Sequence, residues 1–134
     1  KNSHFFAALL KKVINAKKYK KKFIEIWGNG KPKREVIFVA DIADACIFFM
    51  KKKTKETIIN IGTGKDYSIK KYVELISKIL VPKKKIKIKF DKSKPNGTPR
   101  KVLDVSLAKN YGWKSRRKLE EAIQITYKNF KLNK

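Results

Sequence analysis

Cysteine is almost absent from this sequence of 134 residues. The single cysteine, Cys46, excludes a disulfide framework within the chain and a zinc site built from several cysteines. Because structural disulfides belong to oxidising compartments, we expect this protein in the reducing cytoplasm. Cys46 lies in an apolar, helix-like stretch. That setting predicts a small buried side chain rather than a nucleophile.

Long apolar runs are also missing. No stretch approaches the roughly 20 residues of a membrane-spanning helix, and no secretory signal opens the sequence. Hydrophobic residues nevertheless make up 42% of the chain, which is enough for one domain with a modest core. We therefore expect neither a membrane partner nor a metal site. The first residue is Lys1 rather than Met, so we expect this chain to be part of a longer protein.

Negative charge is scarce as well, with 11 acidic residues against 36 Lys and Arg and a net charge of +25. Such a charge is typical of proteins that bind nucleic acid or other polyanions. The lysines, however, are spread over every segment rather than gathered on one element, so we expect no specific nucleic-acid partner. A non-enzymatic, basic polyanion-binding module stays an alternative. The few arginines are candidates for sites that need a planar, bidentate fork: Arg34, Arg100, Arg116 and Arg117.

The pattern of apolar residues alternates between helix and strand, which predicts an α/β class. Asp41 is expected to act as the N-cap or first-turn acid of the second helix. Ser68 is expected to cap the third helix, and the strand at 57–61 should be buried on both faces. The predicted elements are helices near 2–18, 42–52, 68–80, 106–112 and 119–130, and strands near 23–27, 34–39, 57–61 and 86–90.

Two turns carry the candidate binding residues. The loop 93–101 contains two prolines and a glycine, which fix a turn that ends in two cations and is suited to hold a phosphate. Trp27 and Arg34 flank a second turn, and we expect the strands on either side to form a hairpin. An aromatic ring and an arginine there suit a nucleotide. Taken singly, each feature is equally compatible with a solvated surface turn.

Four motifs of the sequence belong together. They are N-S-H at 2–4 followed by A-L-L, W-G-N-G-K-P-K-R-E at 27–35, I-N-I-G-T-G at 59–64, and S-K-P-N-G-T-P-R-K at 93–101 leading to Asp104. Together they resemble the C-terminal portion of GDP-L-fucose synthases, which are extended short-chain dehydrogenases/reductases of the NAD-dependent epimerase/dehydratase family. The motif I-N-x-G-T-G is widespread among such enzymes, whereas the combination of N-S-H with the Pro-Gly-Pro loop is much more specific.

The resemblance implies an activity and roles for named residues. These enzymes convert GDP-4-keto-6-deoxy-D-mannose to GDP-L-fucose by epimerising C3 and C5 and reducing C4 with NADPH, and they are expected to form homodimers. His4 would be the acid/base of epimerisation and would lie beside the nicotinamide, since a group titrating near neutral pH suits this task. The positions that match contacts to the GDP-sugar are Lys12, Trp27, Arg34, Lys87 and Lys101.

The sequence also departs from the family pattern. Lys12 and Lys87 stand where arginine is common, which keeps the charge but loses the fork. No glycine-rich dinucleotide turn occurs in the sequence. We therefore expect residues 1–134 to be a substrate-binding portion that lacks the N-terminal Rossmann domain, is inactive alone, and pairs 57–61 with the sheet of that domain. Another nucleotide-sugar epimerase or dehydratase is the alternative within this superfamily.

Overall fold

The computed structural model describes residues 4–83 and 86–132. Helices and strands alternate, as the sequence predicts, although several strands are only two or three residues long. The elements are α1 (Phe5–Lys18), β1 (Phe23–Trp27), β2 (Lys33–Glu35), α2 (Val39–Met50), β3 (Asp66–Ser68), α3 (Ile69–Leu80), β4 (Lys87–Asp91), β5 (Arg100–Lys101), α4 (Ser106–Asn110) and α5 (Leu119–Leu132).

The main core lies between α1, α3, α5 and the inner face of β1. Each helix presents an apolar stripe at the helical period, and these stripes meet around Tyr72 and Ile76, which are almost fully buried. The rings of Phe5, Phe6 and Tyr67 pack edge-on against Tyr72, with centroids 5.6–5.9 Å away. As predicted, Ser68 caps α3, because its hydroxyl accepts a hydrogen bond from the Lys71 amide at 3.1 Å.

The strand β1 does not form a hairpin with the segment that follows it. It pairs in parallel with β4, and the register places Phe23 beside Lys87 and Trp27 beside Asp91. The predicted hairpin is therefore wrong. The turn 28–32 instead carries the chain from this two-stranded sheet into a separate sheet. Strands β1 and β4 pair with each other because their apolar inner residues are in register.

The second sheet has the order β3–β2–β5, with β3 antiparallel and β5 parallel to β2. Arg34 is thereby flanked by Tyr67 on one side and Lys101 on the other. Strands β3 and β5 were not predicted, because two or three residues are too few to show alternation. The sheet brings the two candidate loops, which are about 60 residues apart in the sequence, into direct contact.

The layer formed by α2, α4 and the segment 57–61 is less well buried. Its cluster contains Ala45, Ala108 and Trp113, and Trp113 donates its indole N–H to Asp44 at 3.0 Å. The predicted strand at 57–61 is wrong for this structure: the segment is unpaired, and Ile58 is 77% exposed. None of the strands in the described chain pairs with this segment.

Three smaller expectations are also corrected or limited. Helix α2 begins at Val39 rather than Ile42, so Asp41 lies within the first turn, where its carboxylate accepts from Ser115 Oγ at 2.7 Å. Cys46 is exposed on α2, not buried. The predicted helix start at residues 2–3 lies outside the described residues, and His4 occupies the N-cap position of α1.

Candidate functional site

Arg34 lies at the centre of the second sheet with its backbone fixed from several directions. The Tyr72 hydroxyl donates to the Arg34 carbonyl oxygen at 2.8 Å, and strand pairing sets the position of Arg34 beside Lys101. Burial raises the pKa of Tyr72, so this hydroxyl keeps its proton and stays a donor throughout the physiological range. The half-buried Arg34 guanidinium donates to the Lys33 carbonyl oxygen at 2.7 Å.

The loop 93–101 is docked on this arginine and on the turn before it. The Asn96 side chain accepts from the Asn29 amide at 2.7 Å, and the Pro99 carbonyl oxygen accepts from the Lys33 amide at 2.8 Å. Gly97 has a φ of +70°, and a Cβ built there would lie 3.5 Å from Arg34 Nη2. The rigid loop predicted from the sequence therefore packs against Arg34 and leaves space for its fork.

Arg100 forms an ion pair within the protein, with Asp66, and is therefore not free to bind a phosphate as considered above. Its Nε donates to Asp66 Oδ2 at 2.6 Å, which links β5 to the end of β3. The hydrogen bond from Arg100 holds the pKa of Asp66 below the ordinary aspartate value, and Asp66 correspondingly raises the pKa of Arg100. This pair clamps the two outer strands of the sheet around β2.

Arg34 and Lys101 have no acidic partner within residues 4–83 and 86–132. Glu35, the next residue, has a carboxylate that instead accepts hydrogen bonds from the backbone of two loops. Its carboxylate forms no ion pair with the neighbouring arginine. The sheet therefore presents two adjacent cations at a site that can hold a diphosphate.

Three of the predicted substrate residues lie elsewhere, around the outer face of the β1–β4 sheet. Trp27 is 63% exposed, and Lys94 Nζ lies 5.9 Å from its ring centroid. Lys87 is exposed on β4 beside Phe23. Lys12 reaches the edge of the same sheet and donates to the Glu25 carbonyl oxygen at 2.7 Å. These residues form a basic, partly aromatic face rather than a closed pocket.

His4 lines a cavity of about 660 Å³ whose walls include Tyr67, the strand partner of Arg34, but neither Arg34 nor Lys101. The aromatic rings of Phe5, Phe6 and Tyr72 form one wall, and three consecutive cations before α5 line another, namely Arg116, Arg117 and Lys118. Thr63, from the turn that contacts Glu35, lines the cavity too. This volume falls within the range of ligand-binding cavities, and its walls suit a ligand with an apolar ring and anionic groups.

The sequence thus identifies the cations of the site but not the residues whose hydrogen bonds and ion pairs fix the positions of those cations. Arg34 and Lys101 are brought together, whereas His4 lines a cavity that neither of them lines, and Lys12, Trp27 and Lys87 lie around the β1–β4 sheet. Glu35, Asp66 and Tyr72 were not singled out. Of these three, only Glu35 could have been found from the sequence, because an acidic residue directly after the candidate arginine is expected to have a binding partner of its own.

The described residues offer neither a metal cluster nor a spanning helix. No group of three or more His, Cys, Asp or Glu side chains comes together in the described parts of the chain in a way that could hold a metal ion. Of the helices in the same parts, none has both the length and the apolar composition needed to cross a bilayer.

Comparison with known proteins gives the same grouping as the motifs. The profile of the NAD dependent epimerase/dehydratase family matches residues 1–62. Probable GDP-L-fucose synthase 1 of Oryza sativa subsp. japonica is 38% identical over 127 residues, which are 95% of this chain. The chain therefore resembles the NAD-dependent epimerase/dehydratase family. GDP-L-colitose synthase of Yersinia pseudotuberculosis is also 38% identical, over 130 residues and 96% of the chain.

A solved structure of this family extends the likeness to the fold. MlghC, a GDP-mannoheptose C4 reductase from Campylobacter jejuni with NADP bound, is 33% identical and superposes with a TM-score of 0.81 over 98% of this chain. The mixed α/β fold is therefore that of the extended short-chain dehydrogenases/reductases, as predicted. The chain spans 38% and 42% of the length of the two curated relatives and 46% of the reductase structure.

Proposed function

We propose that this chain is the GDP-sugar-binding portion of a GDP-L-fucose synthase, an NADPH-dependent epimerase/reductase acting on GDP-4-keto-6-deoxy-D-mannose. The observation that carries the proposal is the pairing of Arg34 with Lys101, beneath the loop 93–101 that packs on Arg34. Both segments match the motifs of these synthases, and both cations are without an acidic partner in the described chain. Arg34 and Lys101 would hold the diphosphate.

The exposed β1–β4 face extends this site. Trp27 would pack against the base or ribose, and Lys12 and Lys87 would supply positive charge around it. These residues lie along one two-stranded sheet: Lys87 and Trp27 are four register positions apart, and Lys12 bonds to Glu25 between them. Their exposure means that the surrounding dielectric is high, so each contributes less than a buried contact would.

His4 would serve as the acid/base for epimerisation at C3 and C5. At C3 and C5, beside the C4 ketone, a proton must leave one face of the sugar and a proton must be added on the opposite face. His4 would accept or donate the proton on one face, and an acid/base from the remaining part of the protein would act on the other. The cavity that His4 shares with aromatic rings and three cations supports binding of the reacting sugar and one end of the cofactor there. NADPH would supply the hydride for C4 reduction, and His4 would be the residue of this chain that lies beside it.

The remaining part of the protein would pack against the layer of α2 and 57–61. Apolar side chains are exposed there, including Val39 at 71%, Met50 at 86% and Ile58 at 77%. Because exposed apolar patches mark interaction surfaces, a Rossmann domain that adds its sheet beside 57–61 accounts for both the exposure and the unpaired backbone. We place the whole enzyme in the cytoplasm as a homodimer, which sedimentation of the intact protein tests.

The activity is tested with the intact enzyme, GDP-4-keto-6-deoxy-D-mannose and NADPH in deuterated water. We expect GDP-L-fucose as the product, with deuterium at C3 and C5. The His4→Ala variant should lose deuterium incorporation while binding GDP as tightly as the wild type. Normal incorporation in that variant would remove His4 from the mechanism. No turnover by the wild type would contradict the assignment, and assaying other GDP-4-keto sugars, such as the substrate of GDP-L-colitose synthase, would then identify the sugar.

The polyanion-binding alternative makes a different prediction. Non-specific binding weakens steeply with salt and is indifferent to the identity of the anion. GDP binding at the proposed site should instead persist at 0.15 M salt and exceed the binding of inorganic diphosphate. Equal affinity for both ligands would favour the basic module.

A further inference from the structure

The Glu35 carboxylate connects two loops that are distant in the sequence. Its Oε1 accepts hydrogen bonds from the Thr63 amide, from the Thr63 hydroxyl at 3.0 Å and from the Gly64 amide at 2.7 Å. Its Oε2 accepts from the Leu103 amide at 2.8 Å. The acidic side chain that is adjacent to the candidate arginine is thus fully engaged by loop donors.

The turn at 62–64 is shaped to receive this carboxylate. A Cβ built on Gly62 would lie 2.5 Å from Glu35 Oε1, so any larger residue would displace the carboxylate. Gly64 adopts a φ of +68°, which turns its amide toward the same oxygen. The G-T-G sequence, which does not fit a dinucleotide fingerprint, is therefore explained here as a backbone cradle for a side-chain carboxylate.

The same hydrogen bonds act on the cations of the proposed site. Glu35 directly follows Arg34 on β2, and Leu103 comes two residues after Lys101, the strand partner of Arg34. The strand pairing of β2 with β5 covers only two residue pairs, so it is weak by itself. We propose that Glu35 is a positioning residue that fixes the spacing of Arg34 and Lys101 for a diphosphate, an inference that rests on the proposed function.

Removing the charge of Glu35 changes the affinity for GDP in opposite directions, depending on whether Glu35 positions the cations or acts only by its charge. Removing a negative charge next to two cations should strengthen the binding of an anion by Coulomb's law. A positioning residue gives the opposite result, because the loss of its hydrogen bonds lets Lys101 move away from Arg34. In Glu35→Gln the amide group keeps one acceptor oxygen, so it cannot satisfy the donors on both sides.

The test is isothermal titration of the intact enzyme with GDP. We expect Glu35→Gln to bind GDP about tenfold more weakly than the wild type, the scale of coupling between contacting residues. Glu74→Gln removes the same charge from an exposed, distant position on α3 and should change affinity by less than about twofold. Unchanged or tighter GDP binding by a folded Glu35→Gln variant would overturn the proposal.

Two further variants separate the possible failures. If Glu35 acts by holding Lys101 beside Arg34, the double variant Glu35→Gln/Lys101→Ala should bind no more weakly than Lys101→Ala; additive losses would overturn the positioning role. If Arg34→Ala itself leaves GDP affinity unchanged, the proposed function fails instead. Should Glu35→Gln not fold, Thr63→Val removes one donor to Oε1 and should weaken GDP binding severalfold, and an unchanged affinity would again overturn the proposal.

Discussion

The two surfaces that carry the candidate substrate residues differ in how firmly they are held. At the β3–β2–β5 sheet, Arg34 is fixed by strand pairing, by the Tyr72 hydroxyl and by the docked loop 93–101. On the β1–β4 face, Trp27 and Lys87 project into solvent. Because rigid groups lose less freedom on binding, the first surface should supply most of the affinity and the second should supply adjustable contacts.

The largest expected loss of GDP binding comes from removing both cations of the first surface. The double variant Arg34→Ala/Lys101→Ala should lose about 3 kcal/mol of GDP binding free energy, the scale of charge-assisted hydrogen bonds that are lost together. Isothermal titration measures the loss. The matched control is Lys51→Ala/Lys52→Ala, which removes two cations from the exposed end of α2. An equal loss in the control would show that only net charge matters, and the comparison would fail.

A smaller effect is expected from the aromatic residue on the second surface. Trp27→Ala should weaken GDP binding by about 1 kcal/mol, the scale of a ring-stacking contact, and Trp27→Phe should retain most of the affinity. Fluorescence titration of the intact enzyme measures both variants. A loss from Trp27→Ala that exceeds the loss from the double cation variant would reverse the proposed ranking of the two surfaces.

The ion pair that clamps β3 to β5 gives a pH-dependent prediction. Because the native pKa of Asp66 is lowered by Arg100, the pair stabilises the fold at pH values above the ordinary aspartate pKa of about 4. That contribution is lost as the pH falls through the lowered pKa. Asp66→Asn should therefore be less stable than the wild type at pH 7, and the difference should shrink in acid.

Urea unfolding of the intact enzyme at pH 7 and in acid measures this difference. Arg100→Gln should reproduce the behaviour of Asp66→Asn, and the double variant should be no less stable than either single variant. A stability difference that stays constant with pH would show that Asp66 acts by packing rather than by its charge.

The smallest effect is expected for Lys87. This side chain is exposed on β4, so Lys87→Ala should cost less than about 0.5 kcal/mol of GDP binding free energy, and the loss should disappear in high salt. Titrations at low and high ionic strength measure it. A large, salt-independent loss would mean that Lys87 closes over the ligand and that the second surface is organised on binding.

Periodic segments of this chain are predictable from the sequence, and short strands are not. The helices with strong apolar stripes and the Ser68 cap follow from side-chain spacing, whereas β3 and β5 exist only because Arg34 and its neighbours pair with them. The hairpin expected around 28–32 failed because local alternation does not identify the partner of a strand. The strand expected at 57–61 is not formed, because none of the strands in the described chain pairs with it.

The cations of the site could be identified from motifs, but their supports could not. Arg34 and Lys101 lie in turns with Gly and Pro that mark them out, while Glu35 and Tyr72 act through contacts with residues far away in the sequence. His4 was identified by its motif, and its cavity depends on the placement of α5. Side-chain chemistry can thus be read locally, whereas preorganisation arises from long-range packing.

The most direct measurement compares Arg34→Ala with the wild type for two ligands, GDP and guanosine, by titration of the intact enzyme. The account predicts that the variant binds GDP more weakly by about 1.5–3 kcal/mol, the scale of a hydrogen bond to a charged group, and binds guanosine as well as the wild type does. An unchanged affinity for GDP, or an equal loss for guanosine, would contradict the claim that Arg34 holds the diphosphate.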